Sequence, residues 1–317
     1  MIQANNSEEA TPMSEPRFTE EQLAILKRMV TPTVFDPTPI ARKYLDVQYG
    51  SLPQQLLDVY LPDEGDGPFP LIIYVHGGGW SMGTKREGAL PCIIDALKYG
   101  YAVISVDYRL APGVRFPEFL FDVKTAVRWA RANADKYGFD PEHFGMIGDS
   151  AGGHLTLMVG FTAGHPEYEG EEYGWSGVSS AVQAIADMYG PSILDADGAA
   201  FLKETGVPSL SFQQPDEDGQ TISSMSLAFT EDKNMLKLIS PIQYVHKDIP
   251  PTLIQQGEKD PVVPMQHSTL LAEKIRRVCG PDRVDLRLYP ERTHSDGAFM
   301  GTENCLEVLP FFDKYLK

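Results

Sequence analysis

The most constraining feature of the chain is the junction at residues 143–159. There the apolar run HFGMIGD gives way, without a linker, to the helix-like GGHLTLMV through Gly148-Asp149-Ser150-Ala151-Gly152. A buried strand that turns at once into a helix forces the residue at the turn into a strained backbone. Small residues on either side let the two segments approach. Ser150 then stands at the head of the turn, and the N-terminus of the following helix points where negative charge would develop. The pattern predicts Ser150 as a nucleophile rather than an ordinary turn serine.

The rest of the chain supplies a frame for such a turn. LLDVYLP (56–62), PLIIYVHGGG (70–79), YAVISVDYR (101–109), VQAIADMYG (182–190), TLIQQGEKD (252–260) and RVDLRLYP (283–290) read as strands. Continuous apolar runs of this kind suit strands buried on both faces. Helices are expected over 89–99, 118–134, 268–278 and 304–315, with Lys124, Arg128 and Arg131 on the polar side of the second and Pro310 kinking or dividing the last. Strand and helix alternate, so the fold class is α/β, with a mostly parallel central sheet flanked by helices.

Residues 1–17, with Pro12 and Pro16, read as a flexible tail, and Leu23, Leu26, Met29 and Val30 suggest a short helix starting near Thr19. Residues 18–317 are expected to form one domain. Residues 164–236 hold 13 Asp and Glu against two bases, Lys203 and Lys233. Within them, 191–236 has weak periodicity and reads as an acidic insertion or lid over the catalytic face; the bland alternative is a solvated surface excursion.

The formal charge of -17, from 44 acidic and 27 basic residues, argues against nucleic acid and anionic lipid as partners. The three cysteines, Cys92, Cys279 and Cys305, form neither a disulfide framework nor a CxxC pair. The start of the chain has no basic and apolar leader pattern, and no apolar run approaches the roughly 20 residues that span a bilayer. The expectation is a cytoplasmic protein with no membrane contact, compatible with a homo-oligomer. No phosphate loop, HExxH or Cys/His cluster is present, so neither a cofactor nor a metal is expected.

A second motif, His76-Gly77-Gly78-Gly79-Trp80, closes a buried strand. Backbone amides of Gly77 or Gly78, together with Ala151, are the candidate oxyanion donors, each worth about 3–4 kcal/mol. The rival reading is a glycine turn made for packing alone. His76 is expected to hold the loop. Serine needs a base, and of the seven histidines His294 lies in a loop beyond a strand's carboxyl end, where α/β sheets present functional groups. His154 would sit one turn beneath Ser150, a poor place for a base, and His165 and His267 are expected to have surface roles. Asp260, beyond another strand end, is the candidate acid, with Glu258 and Asp296 as nearby substitutes. The order Ser150, Asp260, His294 is that of an α/β-hydrolase triad. Trp80, Tyr108, Asp149 and Tyr189 are candidates for the substrate pocket, while Phe212 and Phe229 are aromatics of the insertion.

HGGGW (76–80), DYRLAP (107–112), GDSAGG (148–153), Asp260 and His294 together resemble the carboxylesterase side of the α/β-hydrolase superfamily, including its hormone-sensitive-lipase-like enzymes. MYGP (188–191) and SPIQYVHKDIPPTLIQQGEKDPVVP (240–264) are similar to the branch named for bifunctional feruloyl and acetyl-xylan esterases, with kynurenine formamidase-like enzymes as neighbours. The resemblance covers residues 45–316. It implies an α/β-hydrolase fold and a serine carboxylesterase acting through an acyl-enzyme on a small-molecule ester of short acyl chain, such as acetyl or aryl esters of carbohydrates. The alternative is hydrolysis of an amide, N-formyl or peptide bond by the same triad. The chain departs from many relatives in reading GEKD at 257–260 instead of HGxxD, and His294-Ser295-Asp296-Gly297 around the base.

Overall fold

The computed structural model describes residues 34–194, 213–215, 221–223, 229 and 233–317. The expected tail, the helix from Thr19, Phe212 and most of the 191–236 insertion lie outside the described residues. The strands are β1 (Lys43–Gln48), β2 (Leu56–Tyr60), β3 (Phe69–Val75), β4 (Ala102–Val106), β5 (Phe139–Asp149), β6 (Ala184–Met188), β9 (Thr252–Gly257) and β10 (Val284–Tyr289), with a small hairpin of β7 (Gln213–Pro215) and β8 (Thr221–Ser223). The helices are α1 (Leu90–Ile94), α2 (Glu118–Ala132), α3 (Ala134–Tyr137), α4 (Ala151–Phe161), α5 (Lys233–Leu238), α6 (Gln266–Cys279), α7 (Gly297–Met300) and α8 (Thr302–Leu316).

Eight of these strands form one sheet in the order β1-β2-β4-β3-β5-β6-β9-β10. β2 runs antiparallel to both β1 and β4. Every pairing from β4 through β10 is parallel. The period of two in a strand sorts the core into two layers. Leu71, Ile73 and Val75 of β3 and Ala102, Ile104 and Val106 of β4 face the layer that holds α2, α4 and α6. Ile72, Tyr74 and Val103 face the other, against α1 and α8. Pro310 lies inside α8, which continues past it. Among the described residues no helix is long and apolar enough to cross a membrane.

The polar side expected for α2 is not solvated. Lys124 and Arg128 are fully buried. Lys124 Nζ donates to the Thr162 carbonyl (2.7 Å) and to Glu169 (2.9 Å), and burial pushes its ammonium down to about 8 against the pull of Glu169. Arg128 donates to the carbonyls of Glu169 (2.6 Å), Gly170 (3.0 Å) and Gly174 (3.1 Å). The acidic stretch after α4 therefore folds back over α2. Buried cations are tolerated there because carbonyls and one carboxylate accept their N–H groups.

Five strands end at the same edge of the sheet. The segments that leave β3, β5, β6, β9 and β10 at their carboxyl ends carry His76 to Trp80, Ser150, Tyr189, Asp260 and His294.

Candidate active site

Ser150 has φ 51°, the left-handed region that side chains other than glycine rarely adopt, and it directly precedes α4. The turn is possible because its neighbours lack a Cβ. One on Gly148 would strike the Gly152 carbonyl, and one on Gly152 would strike the carbonyl oxygen of Val75. Gly152→Ala is therefore expected to cost about 2 kcal/mol by overpacking against backbone, read from the urea midpoint. Gly297→Ala, where an added Cβ meets nothing within 4 Å, should stay within about 0.5 kcal/mol. Equal costs for the two would refute the packing argument.

The hydroxyl of Ser150 lies 3.0 Å from His294 Nε2, and His294 Nδ1 lies 2.8 Å from Asp260 Oδ2. A carboxylate only accepts, so Nδ1 carries the imidazole proton and Nε2 is left to accept from the serine. Asp260 is fixed in turn. Its Oδ1 accepts from the N–H groups of Val262 and Val263, both at 2.8 Å, and its Oδ2 also accepts from Gln256 Nε2 at 3.1 Å. Ser268 donates to the other end of Gln256 at 3.0 Å. All three predicted side chains are buried, with Ser150 at 7% exposure, Asp260 at 3% and His294 at 0%. Asp296, a substitute considered for the acid, instead caps α7 by accepting from the Ala298 N–H (2.9 Å).

The glycine loop differs from expectation in one amide. The Gly77 N–H donates to Asp149 Oδ1 at 3.2 Å, so it is engaged within the chain and does not point into an oxyanion position. The same carboxylate oxygen accepts from the Tyr74 hydroxyl at 2.6 Å, and burial pushes the Asp149 carboxyl up despite that bond. The N–H groups of Gly78 and Gly79 make no hydrogen bond to other described residues. Gly78 has φ 105°, and Ala151 is the first residue of α4, whose opening N–H groups have no partner within the helix.

The four pocket candidates, Trp80, Tyr108, Asp149 and Tyr189, are all buried. Trp80 donates through Nε1 to His154 Nδ1 (3.3 Å) and packs on Phe229, with ring centroids 4.7 Å apart. Tyr108 stacks on His76 at 4.4 Å and donates to the His76 carbonyl (3.1 Å). Tyr189 packs edge-on against His294 at 4.8 Å. His267 is corrected. It is buried, and its Nδ1 accepts from the N–H groups of Ser192 (3.1 Å) and Ile193 (3.2 Å). His154 Nε2 donates to the Ile239 carbonyl at 2.8 Å. Burial pushes both imidazoles down to about 4.

Sequence reasoning missed Gln256 and Tyr74, which brace the two carboxylates. The available signal was a polar side chain inside an otherwise apolar strand.

The parallel sheet, the strained serine turn and the imidazole and carboxylate bonded behind it define an α/β-hydrolase. A family model described as BD-FAE matches residues 57–275, and the chain belongs to that family. Among curated relatives it is similar to Esterase LipC of Mycobacterium tuberculosis, 33% identical over 73% of this chain and 55% of that one. It is also similar to Esterase LipQ of the same organism, 32% identical over 79% of this chain and 56% of that one. The chain thus spans about half the length of the curated relatives it matches. A solved structure described as "Truncated form of carbohydrate esterase from gut microbiota" superposes with a TM-score of 0.72 at 27% identity, covering 89% of this chain and 99% of that one.

Proposed function

We propose that the chain is a serine carboxylesterase that hydrolyses short-chain carboxylic esters, with acetyl or aryl esters of carbohydrates as the substrate class. The observation that carries this reading is the unbroken hydrogen-bonded line from Ser150 through His294 to Asp260 at the head of α4. The names of the relatives support ester hydrolysis, and the carbohydrate esterase neighbour supports the substrate class.

In the proposed reaction the Ser150 oxygen attacks the ester carbonyl while its proton passes to His294 Nε2. The carbonyl oxygen becomes an oxyanion against the amides of Gly78 and Ala151. Asp260 holds the imidazole in the required tautomer and stabilises it once charged. Collapse breaks the C–O bond to the leaving alcohol, which takes the proton from His294. Water then repeats the sequence on the acyl-enzyme and releases the acid. Free thiols at Cys92, Cys279 and Cys305 support a reducing, cytoplasmic setting.

The test is a panel of p-nitrophenyl esters from acetyl to dodecanoyl, acetylated xylo-oligosaccharides and an N-formyl amide, combined with fluorophosphonate labelling mapped by mass spectrometry. Fastest turnover on acetyl or propionyl esters and a single label on Ser150 are expected. A label on another residue refutes the site. Preference for the formyl amide moves the activity to amide hydrolysis, and a peak at twelve carbons overturns the short-chain assignment.

A further inference from the structure

Behind the imidazole lies a turn that the proposed mechanism does not use. β6 ends at Met188, and residues 187–190 touch both partners of the proton transfer. The Met188 carbonyl accepts the Ser150 N–H at 2.9 Å. One residue later, the Tyr189 ring lies against the His294 imidazole, with centroids 4.8 Å apart and planes at 66°. Tyr189 is 0% exposed, so its ring serves the protein interior and not a ligand.

The turn is held under strain. Tyr189 has φ 45°, an unfavourable conformation for a bulky side chain that persists only where surrounding structure enforces it. Two bonds enforce it. The Tyr189 N–H donates to the Gln255 carbonyl (2.8 Å), and the Gly190 N–H donates to Asp187 Oδ1 (2.8 Å). The Asp187 carboxyl is wedged between two glycines. A Cβ on either Gly153, three residues beyond the nucleophile, or Gly190 would collide with Asp187 Oδ1. Its other oxygen, Oδ2, is buried without a hydrogen-bond partner among the described residues. A half-satisfied buried carboxyl is expensive to keep, and burial pushes it well above the usual carboxylate range.

We infer that Asp187 and Tyr189 are positioning residues for the base: Asp187 locks the strained turn against α4, and the turn sets the Tyr189 ring as a backstop that fixes the His294 imidazole plane toward the Ser150 hydroxyl. The inference rests on the esterase reading for its kinetic consequence, though not for its geometry. The Tyr189 ring blocks swinging of the imidazole away from the serine. A misplacement of about 1 Å at such a site costs about 10²-fold in rate.

The test compares Tyr189→Leu, Tyr189→Phe, Asp187→Ala and Asp187→Asn in the full chain. Two readouts are used: kcat and KM on p-nitrophenyl acetate, and the low-field proton resonance of His294 Nδ1–H, which needs no substrate. Tyr189→Leu and Asp187→Ala should lower kcat about 10- to 100-fold with KM within about twofold, and should broaden or abolish the resonance. Tyr189→Phe keeps the ring, and Asp187→Asn keeps the shape and an acceptor oxygen for the Gly190 N–H. Both should retain at least about a third of kcat and a sharp resonance. Should Tyr189→Leu fail to fold, Asp187→Ala carries the same expectation.

A KM rise with kcat unchanged would make Tyr189 a substrate contact and overturn the inference. So would a sharp resonance in Tyr189→Leu, or equal losses in the Phe and Leu variants. Absence of ester turnover in the parent chain would refute the esterase reading, while the resonance still decides the positioning role.

Discussion

Replacing Ser150 with alanine is expected to lower kcat on p-nitrophenyl acetate by about four to six orders of magnitude, with a melting temperature equal to or slightly above that of the parent. The first half follows from geometry. Ser150 is the only group positioned 3.0 Å from His294 Nε2 that the imidazole can deprotonate, among the described residues. The second half separates chemistry from folding. The Ser150 side chain makes no capping bond to α4, so its oxygen contributes nothing to that helix. Alanine bears the same strain at φ 51° as serine does. Asp260→Asn should follow with a loss of about 10⁴, since an amide favours the wrong imidazole tautomer. Ester turnover surviving in Ser150→Ala at more than a hundredth of the parent rate would end the nucleophile assignment.

Stability should fall steeply as pH drops from about 6.5 towards 4, because two imidazoles are buried in neutral form. His154 and His267 each sit at about 4 in the folded chain against an ordinary 6.5. Between those values the unfolded chain binds protons that the folded chain refuses. The stabilisation is complete above the unfolded value and is lost as pH falls through the folded one. Each histidine accounts for about 3 kcal/mol, a large share of the roughly 5–15 kcal/mol that holds a typical domain together. The structural reason is visible at each ring. His267 Nδ1 accepts two N–H groups and His154 Nδ1 accepts from Trp80, so a proton on either nitrogen removes an acceptor. Asp149 and Asp187, with raised carboxyls, act in the opposite direction over part of this range. The clean measure is therefore the urea midpoint of the parent against a His154→Gln, His267→Gln double variant at several pH values. Parallel curves would refute the assignment.

The convergence of Ser150, Asp260 and His294 was easier to read from sequence than what supports it, because each follows a strand-like run and Ser150 stands in a GxSxG turn. β1 left no such trace. It is an edge strand with Tyr44, Leu45 and Asp46 exposed, so burial imposed no periodicity on it. Lys124 and Arg128 misled for the opposite reason. Their residue types signal water, whereas carbonyls from a segment far along the chain receive them. The engagement of the Gly77 amide was also out of reach, because it depends on a carboxylate 72 residues away. Gln256, Tyr74 and the buried histidines belong to the same class: polar groups whose partners are set by tertiary contact alone.

The two buried histidines hold two feet, one at 192–193 and one at 239. His267 grips Ser192 and Ile193, while His154 grips Ile239. The feet are also tied to each other, since the Leu194 N–H donates to the Ser240 hydroxyl at 2.7 Å and the Ile242 N–H donates to the Ser192 carbonyl at 3.1 Å. Residues 192–194 and 239–242 are held to one another as well as to α4 and α6, so the acid sensitivity of the two imidazoles falls on a single joint rather than on two separate ones.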